Sequence, residues 1–342
     1  MQATSVRIGT RGSPLALAQA HEVRDRLAKA HGLSHDAITI TVIKTVGDQV
    51  LDRPLSEIGG KGLFTKEIED ALLANEIDVA VHSMKDMQTA LPEGLAIGAV
   101  LPREDVRDAF ISLKYTSLDD VPKGSVVGTS SLRRQAQLLN VRPDLTVVGF
   151  RGNVQTRLKK LQDGVAEATF LAVAGLNRLG MSERITAAIA IDQMLPAVAQ
   201  GAIGLEIRAG DEATADLLAP LNDAATALAV TAERAFLARL EGSCRTPIAG
   251  HAHLATAICI SVGRFYRPTA KSVTRCRSAD RLRRRSISER MRRMTSSRMR
   301  TLPLSSNRAP DACAADPARA RRGGAASPHR GARMPRLACA AA

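Results

Sequence analysis

The residues best placed to do chemistry follow one short apolar run. Ile77 to Asp86 reads Ile-Asp-Val-Ala-Val-His-Ser-Met-Lys-Asp, a strand pattern that stops in a cluster of polar and ionisable side chains. In open α/β sheets, ligands bind at the carboxyl ends of strands. The side chains that we expect at this position are His82, Ser83, Lys85 and Asp86. The competing interpretation, a strand that ends in a solvated turn, is weakened because the same pattern recurs.

Three other apolar runs end in the same way. Each delivers arginine, hydroxyl groups or free backbone N–H groups to the start of a following helix, an arrangement that captures anions. The segments at these ends are Arg11-Gly-Ser13, Ser130-Ser-Leu-Arg-Arg134 and Arg151-Gly-Asn153. We therefore expect carboxylate or phosphate sockets grouped around one aspartate, Asp86.

The elements that must position these residues alternate between strand and helix. Strands are predicted at 6–10, 37–44, 77–81, 95–101, 108–113, 125–129, 145–150, 168–174 and within 195–208, and helices at 14–31, 65–75, 131–140, 153–163 and 224–240. Such alternation predicts an α/β fold with mixed, mainly parallel sheets. We expect two binding-protein-like lobes, and the helix at 224–240 opens a third unit. The predicted limits are 1–101 with 202–219 for lobe 1, 107–195 for lobe 2 and 224–254 for the third domain.

Two loops carry reactive or flexible groups. Ile58-Gly-Gly-Lys-Gly-Leu-Phe64 lacks the spacing of a P-loop, and it is either a lid that carries Lys61 or an ordinary flexible loop. Cys244 lies in Glu241-Gly-Ser-Cys-Arg-Thr-Pro247 beside Arg245, which lowers the pKa of a thiol. A reactive thiol is therefore favoured over a buried structural cysteine.

The net charge of +14 is confined to the last quarter of the chain. Residues 1–254 contain 27 Lys and Arg against 30 Asp and Glu, whereas residues 255–342 contain 21 against 4. The Arg- and Ala-rich segment 255–342 predicts disorder. It is either an arm that binds nucleic acid or, as we favour, the product of a reading-frame shift near residue 255, which resequencing the gene would decide. No apolar run approaches a membrane span and no signal-peptide pattern occurs, so we expect a cytoplasmic protein.

Six separated segments resemble the porphobilinogen deaminase (hydroxymethylbilane synthase) family, in family order across about residues 5–254. They are Thr10-Arg-Gly-Ser-Pro-Leu-Ala-Leu17, Gly59-Gly-Lys-Gly-Leu-Phe64, His82-Ser-Met-Lys-Asp86, Gly128-Thr-Ser-Ser-Leu-Arg-Arg134, Arg151-Gly-Asn153 and Glu241-Gly-Ser-Cys244. Met87 and Gln88 depart from the family, which usually has a small apolar residue and proline there. After about Leu254 we find no resemblance. Because the smaller α/β third domain of the family needs more strands and a helix beyond its cysteine loop, the resemblance implies that this third domain is truncated here.

The resemblance implies a monomeric transferase of tetrapyrrole (haem) biosynthesis that joins four porphobilinogen molecules into hydroxymethylbilane and releases ammonia. It also implies a dipyrromethane cofactor joined by a thioether to Cys244, and no metal, membrane or nucleic-acid partner. The motif match assigns catalysis to Asp86; cofactor binding to Lys85, Ser131, Arg133 and Arg134; substrate binding to Arg11, Ser13, Arg151, Arg157 and Arg178; and the lid loop to Lys61 and Phe64.

Two other functions remain open on the residues alone. The lobes and arginine sockets would equally suit a two-lobed anion-binding protein without catalysis, and the basic segment 255–342 would suit a nucleic-acid binder. Cys244 discriminates between the first of these and the enzyme, because a binding protein has no use for a reactive thiol.

Overall fold

Three sheets organise the part of the chain that the structure, a computed structural model, describes: residues 5–49, 62–240, 242, 246–255, 258–266 and 273–281. The strands are β1 (Val6–Arg11), β2 (Ile38–Ile43), β3 (Val79–Ser83), β4 (Leu95–Val100), β5 (Asp108–Ser112), β6 (Val126–Gly128), β7 (Thr146–Val148), β8 (Ala168–Ala172), β9 (Ala187–Ala188), β10 (Ile203–Arg208), β11 (Ile248–Ala255), β12 (Ile258–Tyr266) and β13 (Val273–Arg281). The α-helices are α1 (Pro14–His31), α2 (Val46–Gln49), α3 (Lys66–Leu73), α4 (Leu132–Val141), α5 (Val154–Gln162), α6 (Val173–Arg178), α7 (Glu212–Leu218) and α8 (Ala224–Arg239).

The first sheet has the strand order β2-β1-β3-β10-β4. β1 pairs in parallel with β2 and β3, whereas β10 is antiparallel to both β3 and β4. β10 therefore returns from late in the sequence to lie beside the strand that leads to Asp86. The core of this first sheet and its helices includes Ile8 and Leu205 on the strands and Val23 and Leu27 on α1, all fully or nearly fully buried. We call this sheet with its helices lobe 1.

The second sheet has the order β7-β6-β8-β5-β9 and forms lobe 2 with α4, α5 and α6. Its parallel pairs are β6 with β7 and β6 with β8, and its antiparallel pairs are β5 with β8 and β5 with β9. Apolar clusters cover both faces, around Phe110 and Phe170 on one and around Phe150 and Leu176 on the other. Both large sheets are mixed, so the predicted α/β class of two lobes is confirmed, with parallel and antiparallel pairs in equal number within each. The predicted domain limits remain predictions.

Most predicted elements form, with ends that differ by one or a few residues. Pro14 begins α1 and the Ser13 side chain accepts a hydrogen bond from the backbone N–H of Ala16, as predicted from the capping pattern. The strand predicted at 168–174 ends earlier, at Ala172, because Val173 already begins a helix. Among the described residues, no helix is long and apolar enough to cross a bilayer.

The segments that cross between the lobes meet α8 at a buried ion pair. Arg103 donates to both carboxylate oxygens of Glu233, at 2.7 and 2.9 Å, and Glu233 also accepts from the backbone N–H groups of Ala199 and Ala252. Gly201, at φ +88°, lies so close to the Glu104 carbonyl that a side chain would collide with it. Both crossing segments and β11 are thus joined to one glutamate of α8.

The third sheet, β11-β12-β13, corrects the prediction of disorder from residue 255. β12 and β13 are antiparallel strands within that segment, and β11 pairs with β12 along the whole length of β11. Apolar residues at alternate positions, Ile258, Ile260 and Val262, are typical of a strand. This local pattern was not detected because the prediction relied on the basic composition of the whole segment. The remainder of 255–342 lies outside the described residues.

Candidate active site

Asp86 lies at the end of a single 3-10 turn, Met84–Asp86, that follows β3 directly. A backbone hydrogen bond fixes this turn: the buried Met84 donates its N–H to the Ala202 carbonyl at 3.0 Å. Gly204 of β10 packs against the Met84 side chain with no space for a Cβ. The neighbouring strand therefore holds the turn that carries Asp86.

Asp86 faces an open cavity whose described lining comes entirely from lobe 1. The lining residues are Arg11, Ser13, Leu15, Ala16, Gln19, Phe64, Thr65, Val81, His82, Ser83 and Asp86. The predicted residues Arg11, Ser13, Phe64 and Asp86 are thus brought together. Asp86 is the carboxylate in this lining, and it stands among a cation, hydroxyl groups and one aromatic ring.

Arg11 is held between an acid and an aromatic ring. Its guanidinium donates from Nε and Nη2 to the Asp48 carboxylate, and it stacks over the Phe64 ring at 4.3 Å from the centroid. Thr45 Oγ1 donates to the same carboxylate at 2.8 Å. Burial opposes the charge on Arg11, but the hydrogen bond to Asp48 and the charge of Asp86 raise the pKa of Arg11 above its ordinary value. Arg11 is therefore a fixed cation beside Asp86.

The cavity wall continues into a buried polar layer. Gln19 Nε2 donates to Ser83 Oγ at 2.8 Å, which ties α1 to the end of β3. His82 Nε2 lies 3.0 Å from Glu206 Oε2 on β10, and both side chains are almost fully buried. Glu69 lies nearby, and burial with the charge of Glu206 raises its pKa above the ordinary value for a carboxyl group. This layer supports the wall from behind.

Two of the predicted arginine sockets are buried pairs in lobe 2. Asp108, fully buried at the start of β5, lies 2.8 Å from Arg133 Nη1 and 2.7 Å from Arg134 Nη2. The same Nη1 of Arg133 also donates to the Leu195 carbonyl at 2.7 Å, and Arg134 Nη1 donates to the Phe170 carbonyl at 2.8 Å. Burial opposes ionisation of Asp108, but the two guanidinium groups hold its pKa well below the usual range.

Nearby acids neutralise the positive charges of Lys85 and Arg157 less completely than Asp108 neutralises those of Arg133 and Arg134. Burial lowers the pKa of Lys85 to about 8, and the charges of Arg134 and Arg133 lower it while that of Asp86 raises it. Burial lowers the pKa of Arg157 to about 10, with a further contribution from Arg134. Within the described residues, the buried Nε of Arg157 has no hydrogen-bond partner. Both cations therefore gain from an added anion.

The other predicted residues have structural partners as well. Ser131 caps α4, where its Oγ accepts from the backbone N–H of Arg134 at 3.4 Å. Arg151, half-buried, precedes α5 and its carbonyl accepts from Lys160 at 3.0 Å. Arg178 ends α6 and pairs with Glu22 of lobe 1 at 3.3 Å. Lys61 and Cys244 lie outside the described residues.

The partners that sequence reasoning missed include Gln19, Glu22, Asp48 and Asp108. Asp48 had a detectable signal, since it follows β2 at the carboxyl edge of the same sheet as β3. Asp108 had none, because nothing in its local pattern indicates a pair with arginines 25 or 26 residues further along the chain.

The fold and this site define a class of protein: a two-lobed α/β protein that presents a carboxyl group and several cations to an anionic ligand. The family model described as "Porphobilinogen deaminase, dipyromethane cofactor binding domain" matches residues 6–216. The model for the C-terminal domain of porphobilinogen deaminase matches residues 227–262. The chain belongs to the porphobilinogen deaminase family, as the sequence motifs predicted.

Curated relatives support this membership in bacteria and plants. The porphobilinogen deaminase of Paracoccus denitrificans (strain Pd 1222) is 70% identical over 249 residues, which cover 73% of this chain and 80% of the relative. The chloroplastic enzyme of Pisum sativum is 61% identical over 250 residues, 72% of this chain and 68% of the relative. That of Nitrobacter hamburgensis is 60% identical over 244 residues, 71% and 77% respectively.

The C-terminal match also corrects one prediction from the motifs. We expected the resemblance to stop at about Leu254, but the family match continues to residue 262, through the first half of β12. The motifs underestimated its extent because they are compact loops, whereas the added match lies in a strand that carries no distinctive loop residue.

Proposed function

We propose that this chain catalyses the stepwise head-to-tail condensation of four porphobilinogen molecules to hydroxymethylbilane, with release of ammonia, in tetrapyrrole biosynthesis. It is a transferase of the porphobilinogen deaminase family. The reaction requires one acidic group placed among cations. The observation that carries the proposal is the position of Asp86 in a cavity with Arg11 and Ser13, at the end of the strand that the motif predicted.

Asp86 serves the reaction in two protonation states. Loss of ammonia from porphobilinogen needs a proton on the leaving amine and leaves an electron-poor azafulvenium. A carboxyl group that faces the amine keeps it protonated, and the resulting carboxylate stabilises the cation until a pyrrole carbon attacks. The proton that this carbon then loses returns to the carboxylate. Met84 and Gly204 keep Asp86 in place through these steps, because their contact fixes the turn that carries it.

Cations on both sides of Asp86 hold the carboxylates of the substrate and product. Each pyrrole ring brings an acetate and a propionate, so repulsion grows as the chain is extended. Arg11 in lobe 1 and Arg151, Arg157 and Arg178 in lobe 2 are proposed to bind these groups. Each charge-assisted hydrogen bond contributes roughly 1.5–3 kcal/mol, so several are needed and no single arginine decides affinity.

The described residues fit the dipyrromethane cofactor that the family implies. Lys85 and Arg157 are partly buried residues, and burial of the charged group lowers each pKa because nearby acids offset this cost only in part. A polycarboxylate would supply the missing negative charge. We propose that Lys85, Ser131, Arg133 and Arg134 hold it, and that it is joined covalently by a thioether at Cys244. When bound, it supplies the pyrrole carbon to which the first substrate is joined, and a thioether survives every cycle of elongation.

The other assignments complete the proposal. Lys61 and Phe64 are proposed as a lid; the position of Phe64 on the cavity wall, stacked against Arg11, supports the part assigned to it. We also propose a monomer in the cytoplasm, without a nucleic-acid partner. Size-exclusion chromatography tests the first of these, and salt-dependent DNA binding that disappears when residues 255–342 are deleted would contradict the last.

Replacement of Asp86 tests the proposed function. Asp86→Asn keeps the size of the side chain but cannot exchange a proton, so kcat for porphobilinogen consumption should fall by about 10²–10⁴. Asp70→Asn is the matched control, because Asp70 is an exposed carboxylate of the same lobe that pairs with Lys66. It should leave kcat unchanged. Asp86→Asn with kcat within tenfold of the wild type would reject the assigned role.

A further inference from the structure

Arg178 joins the two lobes through its side chain. From the end of α6 in lobe 2, its Nε donates to Glu22 Oε2 on α1 of lobe 1 at 3.3 Å, and its Nη2 donates to the Gly201 carbonyl at 3.0 Å. Only 9% of the Arg178 side chain is exposed, against 28% for Glu22. An arginine proposed to bind substrate is therefore already paired, across the lobe boundary, with a carboxylate of the protein.

Glu22 is anchored elsewhere and offers Arg178 only one bond. Its other oxygen, Oε1, accepts from Arg26 Nε at 3.1 Å and Nη2 at 2.9 Å, one turn further along α1. The single bond from Arg178 is longer than the 2.7–2.9 Å usual for ionic hydrogen bonds. Burial lowers the pKa of Arg178, although the charge of Glu22 acts against this, so the guanidinium lacks full compensation. A ligand carboxylate with better geometry would displace Glu22.

We propose that Glu22 is a placeholder for a substrate carboxylate: it pairs with Arg178 until a carboxylate of porphobilinogen or of the growing chain takes its place. Glu22 itself touches no reacting atom and acts through Arg178 as a positioning residue. This inference rests on the proposed function, which supplies the carboxylate ligand. The exchange also removes a polar contact between α1 and α6, so capture of a ligand carboxylate loosens the two lobes from each other.

The charge of Glu22 should oppose substrate binding without affecting chemistry. Glu22→Gln keeps the shape of the side chain and removes the competing negative charge, so KM for porphobilinogen should fall about fivefold, the scale of a partly exposed ion pair, with kcat within twofold of the wild type. The matched control is Glu183→Gln. Glu183 is an exposed acid of lobe 2 that pairs with Arg184 at 3.4 Å, and its replacement should leave KM and kcat unchanged.

A double-mutant cycle shows whether the effect passes through Arg178. Arg178→Gln should raise KM, and adding Glu22→Gln to it should change KM no further. An unchanged or raised KM in Glu22→Gln alone, or a fivefold effect that persists beside Arg178→Gln, would overturn the exchange. A wild-type protein that ignores porphobilinogen would overturn the proposed function as well, whereas an active wild type with either of those results overturns the exchange alone.

Discussion

The two sides of the site use arginine in different ways. In lobe 1, Arg11 is held by Asp48, whose side chain is 31% exposed, and it lines the cavity that Asp86 faces. In lobe 2, Arg133 and Arg134 are almost fully buried and share Asp108, which is not exposed at all. A cation paired with a fully buried acid acts on the proposed cofactor mainly through its positive charge, whereas a cation on an open wall can bond a ligand directly. Positive charge in the sequence is therefore not the same as charge available to a ligand.

The largest effect should come from breaking the buried cluster of lobe 2. Asp108→Asn leaves two buried guanidinium groups without their shared counterion, and we expect the free energy of unfolding to fall by about 3–5 kcal/mol. Denaturant titration measures this loss. The control is Asp144→Asn, which removes the partner of Arg142 from a more exposed pair at 2.7 Å and should lower the free energy of unfolding much less. Equal losses in the two variants would contradict the contrast between buried and open cations.

Lys85 lies between the two sides and should make activity depend on pH. With a pKa lowered to about 8, Lys85 loses its positive charge as the pH rises through 8, and carboxylate binding weakens. We expect kcat/KM for porphobilinogen to fall above pH 8 by up to about tenfold per pH unit. In Lys85→Arg the charge persists, so the decline should move to higher pH. A decline at the same pH in both proteins would show that another group, such as the substrate amine, causes it.

The smallest effect should come from the open side of the site. Asp48→Asn removes the acid that orients Arg11, while Phe64 still stacks on the guanidinium, so kcat/KM should fall only about fivefold, or roughly 1 kcal/mol. Steady-state kinetics measure the change, and the free energy of unfolding should decrease by less than in Asp108→Asn. A loss of stability as large as that of Asp108→Asn would place Arg11 in the same structural class as Arg133 and Arg134.

The sequence predicted the parts of this site that depend on local pattern. The strand before Asp86, the Ser13 cap and the Ser131 position before a helix each follow from residue periodicity or capping chemistry within a few positions. The pairs that distinguish the two sides could not be predicted, because Asp108 with Arg134 and Arg11 with Asp48 are joined only by the folded sheets. Local pattern thus identified the charged residues but not which of them already had partners.

Composition failed where it was averaged over too long a segment. The basic character of 255–342 predicted disorder, yet β12 and β13 form there because strand pairing depends on a few alternating residues and on the edge that β11 offers. The arginines show the same dependence on the fold: the ion pairs that they form, like the strand pairs of β12 and β13, are set by tertiary contacts.

The central claim is that one carboxyl group, Asp86, extends a chain tethered at Cys244. Intact-mass measurement of purified protein, before and after mixing with an equimolar amount of porphobilinogen, tests it most directly. The wild type should exceed its polypeptide mass by two linked pyrroles and then gain further single pyrrole units, whereas Asp86→Asn should gain none and Cys244→Ala should carry no adduct. A soluble wild type with a bare thiol and no mass gain would contradict the account.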